Sequence, residues 1–192
     1  MTTVVEKIIK TRGLAPAILT GIHYTSTYRE LTNRHVAILE EFATPLKEDT
    51  NFILDSAGMP MEGFYPYVKR LVDGVKGKHT LSVAETALRD LIKQDKKGHT
   101  GFDPATGNMV LYDKNNTILT TVENVVEFTG SLDEPVYYAN NYLQLLVDYK
   151  KEAKLDGDVV IKLDSAIEPA VSQGKGTFLF TPIRITPIRI LK

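Results

Sequence analysis

The sequence predicts an α+β fold in which helices lie on one face of antiparallel sheets. Three observations lead there. First, residues 79–185 read as strand–helix–strands twice over, with apolar residues alternating in the strands and recurring at helical spacing between them. Second, the predicted strands are short and several are separated by turns, as at 105–107 and 113–116. Third, 192 residues at 43% hydrophobic and 24% charged are enough to bury a core, in one large domain or two small ones.

The composition also excludes. There is no cysteine, so disulfide scaffolds, thiolate metal sites and thiol catalysis are out. The N-terminal MTTVVEKIIK lacks an apolar secretory core, and no run approaches the ~18 apolar residues a membrane span needs, so a cytoplasmic protein is expected. The formal charge of −1, from 23 Lys+Arg against 24 Asp+Glu, argues against a chain that coats nucleic acid over its whole surface. It leaves room for one that gathers its basic residues on one face.

Residues 2–12 read as a short helix with Val4, Val5, Ile8 and Ile9 on its apolar stripe and Gly13 as its stop signal. Strands are expected near 17–25 and 28–42, with a turn at Ser26–Thr27. NFILD forms a short strand between breakers at Pro45 and Pro60, and 63–78 is an irregular connector or a short helix after Pro66. His79–Val83 is a strand and Ala84–Lys97 a helix. Three strands occupy 101–130, with turns at 105–107 and 113–116. A strand at 135–138 precedes a helix at Asn140–Lys154, and strands at 158–164 and 176–185 follow, separated by loop sequence.

Several segments resemble one family. The segment 140–185 opens on NNYLQLL and ends on Thr181-Pro182-Ile183-Arg184-Ile185. It resembles the end of the bacterial beta clamp, where an F/Y-N-x-x-Y-L helix leads to a terminal M-P-M-R-L sequence. GFYPYVKRLVDG, 63–74, is similar to the Y-P stretch that enters that clamp's last domain. APAILTGIHY…LTNRHVAIL, 15–39, is similar to the R-P-x-L-T-G-V…D-(S/G)-H-R-L-A stretch of its middle domain, with Asn33, Arg34 and Val36 departing from the pattern around His35. The order along the chain agrees. The resemblance implies the DNA clamp, or processivity, fold of repeated β-α-β-β-β units. It divides the chain into a shortened clamp-like domain, 1–78, and a complete one, 79–192, with an extension at 186–192. A short clamp encoded by a virus or mobile element fits this length.

What the resemblance implies for function follows. Sliding clamps encircle duplex DNA and tether DNA polymerase, so the expected partners are double-stranded DNA, a polymerase and other clamp-binding-motif proteins, a clamp loader and further copies of the chain. Family rings hold six domains, and a two-domain reading favours a homotrimer. A ring that slides needs mobile cations on its inner wall and no base readout. The candidates are Lys7, Lys10 and Arg12 on the first helix, Arg89, Lys93, Lys96 and Lys97 on the second, and Lys150, Lys151 and Lys154 on the third. A lysine on an exposed helix is ordinarily only solvated; the reading rests on every helix carrying a cluster. The partner-peptide pocket matches Thr32, Arg34, His35 and Val36, then Leu71 and Val72, then Leu179, Pro182, Ile183 and Arg184. TPIRI recurs at 186–190, which raises the expectation that the second copy modulates this pocket.

No catalytic residues, metal or cofactor are expected. The four histidines make no metal-binding spacing, and no P-loop or G-x-S-x-G elbow occurs. Two other functions stay open: a clamp-like decoy or regulator that does not encircle DNA, and a small two-histidine phosphoesterase using His23 and His79.

Overall fold

The computed structural model describes residues 3–11, 16–174 and 176–184. Helix α1 spans Val4–Lys10, and after a 3-10 turn at Ala17–Thr20 come β1 (Ile22–Thr25), β2 (Tyr28–Thr32), β3 (Val36–Glu41), β4 (Asn51–Leu54) and β5 (Pro60–Met61). Helix α2 (Val68–Gly74) leads to β6 (His79–Val83), α3 (Glu85–Ile92), β7 (His99–Asp103), β8 (Asn108–Tyr112), β9 (Ile118–Val122) and β10 (Val126–Thr129). The chain ends on β11 (Val136–Ala139), α4 (Asn140–Glu152), β12 (Val159–Leu163), β13 (Ala170–Gln173) and β14 (Thr177–Phe180).

The strands form two antiparallel sheets. One has ten strands in the order β10-β6-β12-β13-β14-β3-β2-β1-β4-β5, the other four in the order β11-β7-β8-β9. Residues from β6 onward hold two β-α-β-β-β repeats, β6-α3-β7-β8-β9 and β11-α4-β12-β13-β14. Each repeat lends its first strand to the other: β6 pairs with β12, and β11 with β7. The exchange gives this unit an internal two-fold relation. The ten-stranded sheet has a second one. Five strands from the C-terminal unit meet five from the N-terminal unit at the β14–β3 pair, where Phe178 opposes Ile38 and Leu179 opposes Ala37. About that seam β4 holds the place of β6, and α1-β1-β2-β3 the place of α4-β12-β13-β14. Among the described residues the N-terminal unit is therefore one repeat, with no counterpart of the four-stranded sheet.

The main core fills the space between the two sheets and the helices, with Phe102, Tyr138, Phe178 and Phe180 at its centre. Two smaller clusters lie on the opposite face of the ten-stranded sheet. One joins Leu19, Ile53 and Tyr65, and the other joins Ala37, Val68, Val171 and Leu179.

Several expected boundaries move. The strand expected at 28–42 is a hairpin: Asn33 Oδ1 accepts from the His35 and Val36 N–H groups at 3.0 and 2.9 Å, and Arg34 sits at φ 84°. An Asx turn closes it where glycine would be the usual signal. The three strands expected in 101–130 are four, because Asn124, at φ 53°, turns the chain between β9 and β10. The stretch 17–20 is a 3-10 turn, the second helix stops at Ile92, and β13 forms where loop was expected. The second TPIRI copy, Arg12 and the extension at 186–192 lie outside the described residues.

Candidate functional sites

The helices stand in a row, α1 beside α4 beside α3, over one face of the sheets. Thr3 starts α1 by accepting the Glu6 N–H on its hydroxyl at 3.2 Å. The pairing of α1 with α4 is polar at its edge: the Lys7 ammonium pairs with Asp148, and the Val4 N–H donates to Glu152 Oε1 at 2.8 Å. Between these helices and the end of α3 runs a groove of about 480 Å³, lined by Lys7, Thr11, Lys93, Lys96, Gln144 and Asp148 among others. The sequence-predicted cations of two separate segments thus meet in one place.

Acids also stand in that row. Lys93 pairs with Asp90 at 3.2 Å and Arg89 with Glu85 at 3.6 Å, so with Lys7 three of the cations are paired within their own face. Lys10, Lys96, Lys97, Lys151 and Lys154 are at least partly exposed. Lys150 is only 7% exposed and donates to the Asp158 carbonyl at 2.8 Å. It ties α4 to the start of β12 and is not offered to a ligand, which corrects its place among the inner-wall candidates. Helical spacing put it one position from Lys151, on the turned-in flank.

On the other face of the ten-stranded sheet, α2 lies across the seam between the two units. Val68 and Val72 pack on Ala37, Val171 and Leu179, while Leu71 stays 52% exposed beside them. Thr32 accepts the Arg34 N–H at 3.0 Å and donates to the Val36 carbonyl at 2.9 Å, and Arg34 and His35 are exposed on the turn. Pro182 and Ile183 are half-buried and Arg184 exposed; the Ile183 N–H donates to the Tyr137 carbonyl at 2.8 Å. Residues of β2, β3, α2 and β14 therefore meet at the seam, whereas His35 stacks on Tyr142 of α4 at 5.7 Å and Ile183 is tied to β11, which turns these two toward the helix side. Val36 is wholly buried and points into the main core, so it cannot line this face; Ala37, its neighbour, does. The two-residue period of β3, read against Leu179, carries that signal. Exposed Phe64 and Tyr67, meeting edge-on at 5.6 Å, stand instead with Tyr65 over His23, Asn51 and Ile53, and were not among the candidates.

The histidines do not form a catalytic pair. His23 on β1 and His79 on β6 stand six strands apart in the sheet, about 29 Å at the usual strand spacing. His23 is engaged at both ring nitrogens, Nδ1 with Glu30 Oε1 at 2.9 Å and Nε2 with Asn51 Oδ1 at 2.8 Å. Glu30 is completely buried and accepts the Lys69 N–H at 3.0 Å, so it fastens the start of α2 to the sheet. Tyr65 stacks on His23 at 5.4 Å, accepts the Thr32 N–H and donates to the Gly21 carbonyl, and burial pushes its hydroxyl pKa well up. Among the described residues no group of three or more His, Asp or Glu is placed to hold a metal ion, and no helix is long and apolar enough to cross a membrane.

Swapped β-α-β-β-β repeats, a sheet continuous across the unit boundary and a row of helices on one face together define the DNA sliding-clamp fold. Solved structures agree. The chain is similar to the sliding clamp (DNA polymerase III subunit beta) of Bartonella birtlesii, solved bound to griselimycin, with a TM-score of 0.73 at 11% identity over 95% of this chain and 63% of that one. It is similar to DNA polymerase III subunit beta of Borrelia burgdorferi, solved with a natural product, with a TM-score of 0.73 at 14% identity over 95% of this chain and 60% of that one. The Bacillus subtilis clamp gives a TM-score of 0.67 at 12% identity, over 95% of this chain and 62% of that one. The chain thus spans less than two thirds of these clamps, and at such identities the likeness is one of fold. By sequence, no protein-family model and no curated protein matches it.

Proposed function

We propose that this protein is a short DNA sliding clamp, a polymerase processivity factor whose helix row faces duplex DNA. A second, apolar surface under α2 receives a hydrophobic peptide from polymerase and other clamp-binding proteins. The observation that carries the reading is the helix row itself: Lys7, Lys93 and Lys96 line one groove between α1, α4 and the end of α3, and Lys10, Lys97, Lys151 and Lys154 are exposed on or just past the same helices. Exposed lysines on helices attract the phosphate backbone without fixing register, which sliding requires. On the peptide surface, Leu71 and half-buried Val72 supply apolar area beside Pro182, and Arg34 orients the ligand, while Leu179, 3% exposed, and Thr32, 7% exposed, lie beneath that surface and support it. Residues 1–78 then act as a shortened domain and 79–192 as a complete one, working in the cytoplasm with a clamp loader.

The homotrimer expectation rested on a compact second domain. With three repeats in the chain, a ring of six two-repeat domains needs four copies instead. The test is duplex DNA binding against salt concentration. Lys10→Glu, Lys96→Glu and Lys97→Glu combined are expected to weaken binding and flatten its salt dependence by roughly one unit of slope for each phosphate no longer neutralised. Unchanged binding and slope would remove the reading.

A second reading is favoured by a specific observation. The ion pairs of Lys7, Arg89 and Lys93 leave the helix face less basic than its lysine content implies. A clamp-like regulator that occupies polymerase peptides without encircling DNA fits that face. Peptide binding on the α2 side together with no measurable DNA affinity at low salt would select it.

A further inference from the structure

The C-terminal unit shows what covers a clamp repeat. There, the apolar helix-side residues of β6 and β12 are Leu81, Val83, Val159, Ile161 and Leu163, none more than 1% exposed, and only His79 at the edge of that face is half-buried. The cover is the other repeat, with its helix and its sheet. The N-terminal repeat has the same strand order and, among the described residues, no mate. At the positions equivalent to those of β6 and β12, Phe52 is 43% exposed, and Ile22, Tyr24 and Leu54 are only half-buried. Tyr24 and Phe52 stack on each other at 5.3 Å on that open face. On α1, Ile9 lies about half a turn round from Lys7, which points to α4, and is half-buried and apolar on the flank turned away from α4.

We infer that a second copy of this chain covers that face, its N-terminal repeat meeting the first across a two-fold axis so that two half units make one complete domain. Three features select this occupant. Within the chain the cover of a repeat is another repeat of the same topology, related by an internal two-fold, and the N-terminal repeat is the one left without a mate among the described residues. On that face the charged residues of β2 and β3, Arg29 and Glu40, neutralise each other at 2.6 Å, so a two-fold brings no unpaired like charges of these strands into opposition. β4 already occupies the place that β6 takes in the complete unit, so pairing needs face-to-face packing and no exchange of strands. The product is an arc of three complete domains, formed whether or not the helix row binds DNA.

The test is the mass of the full chain in solution across a concentration series, by light scattering after size exclusion. A dimer or larger even assembly is expected. Phe52→Glu and Ile9→Glu should each raise its dissociation constant about tenfold or more, while Leu119→Glu, exposed on β9, should leave it unchanged. Far-UV circular dichroism and thermal melts check that the variants fold. If either variant fails to fold, hydrogen exchange of the unaltered chain supplies the readout, with protection at 4–10 and 51–54 rising with concentration. A monomer throughout, an odd-numbered assembly, or an even one indifferent to both substitutions would overturn the inference. Salt-dependent DNA binding reads out separately, so loss of the dimer and loss of the clamp reading are told apart.

Discussion

Val83 and Leu54 hold equivalent strands in the two halves of one sheet, yet the first is sealed in a core and the second is half open. The same contrast runs through β12 against β1. What differs is not the strand sequence but the presence of a second repeat above it. The C-terminal unit concentrates its apolar burial on the helix side, in one continuous core. The N-terminal unit transfers much of its burial to the outer face, where Tyr65 and Val68 of the 62–75 segment pack on Leu19, Ile53 and Ala37 and Glu30 accepts the Lys69 N–H of that segment. Half a clamp domain is thus held from outside, by a strap and a buried polar cluster.

Substitutions can break or sharpen this contrast. The largest effect belongs to the complete unit. Phe102→Ala, at a wholly buried site, should cost about 3–5 kcal/mol in denaturant unfolding, while Phe52→Ala at the open face should cost less than about 1 kcal/mol at dilutions where the chain is monomeric. Equal costs under that dilution would mean that the open face is covered within the monomer. Next comes the strap. Glu30→Ala leaves His23 and the Lys69 N–H without their buried partner and should cost about 3 kcal/mol, with faster hydrogen exchange over α2 before any change over α3.

A smaller effect is pH-dependent and confined to the C-terminal unit. Burial against Tyr112, at 5.3 Å, lowers the His99 pKa, with Asp113 and Asp95 opposing it. The folded state holds this imidazole neutral more firmly than the unfolded chain does. Its contribution to stability is therefore complete above the ordinary histidine range and is lost as pH falls through about 6.5 toward the lower folded value. Unfolding midpoints at pH 7 and pH 5 should differ less in His99→Gln than in the unaltered chain. The smallest effect is a gain. Arg34 stands at φ 84°, and Arg34→Gly should stabilise the β2–β3 turn by about 0.5 kcal/mol, read as a small rise in melting temperature.

The clamp architecture of 79–184 was legible because its helices and strands change period cleanly, and the Asn140 helix and the strand ending at Phe180 carry both the apolar pattern and the family's residue order. The hairpin at Asn33–His35 and the turn at Asn124 were not, since a single Asn inside a run of strand-forming residues is a weak turn signal without a Gly or Pro beside it. The basic clusters were legible as composition. Their pairing with Asp148, Glu85 and Asp90 was less so, because only the Glu85–Arg89 and Asp90–Lys93 spacings are local; Lys7 meets Asp148 across helices. The exchange of Val36 for Ala37 on the partner surface turned on strand register, which a one-residue shift inverts.

By itself, then, the sequence determined the class of fold, the order of its repeats and the places where cations and apolar strands lie, since period and turn chemistry are local properties of the chain. Tertiary structure alone decided which lysines are free, which face of β3 meets α2, and that the N-terminal region amounts to half a domain. Those outcomes depend on which strands pair across long separations and on what covers a face once they have paired. Neither is encoded at any one position, and the open face of β1 and β4 is visible only beside its filled counterpart.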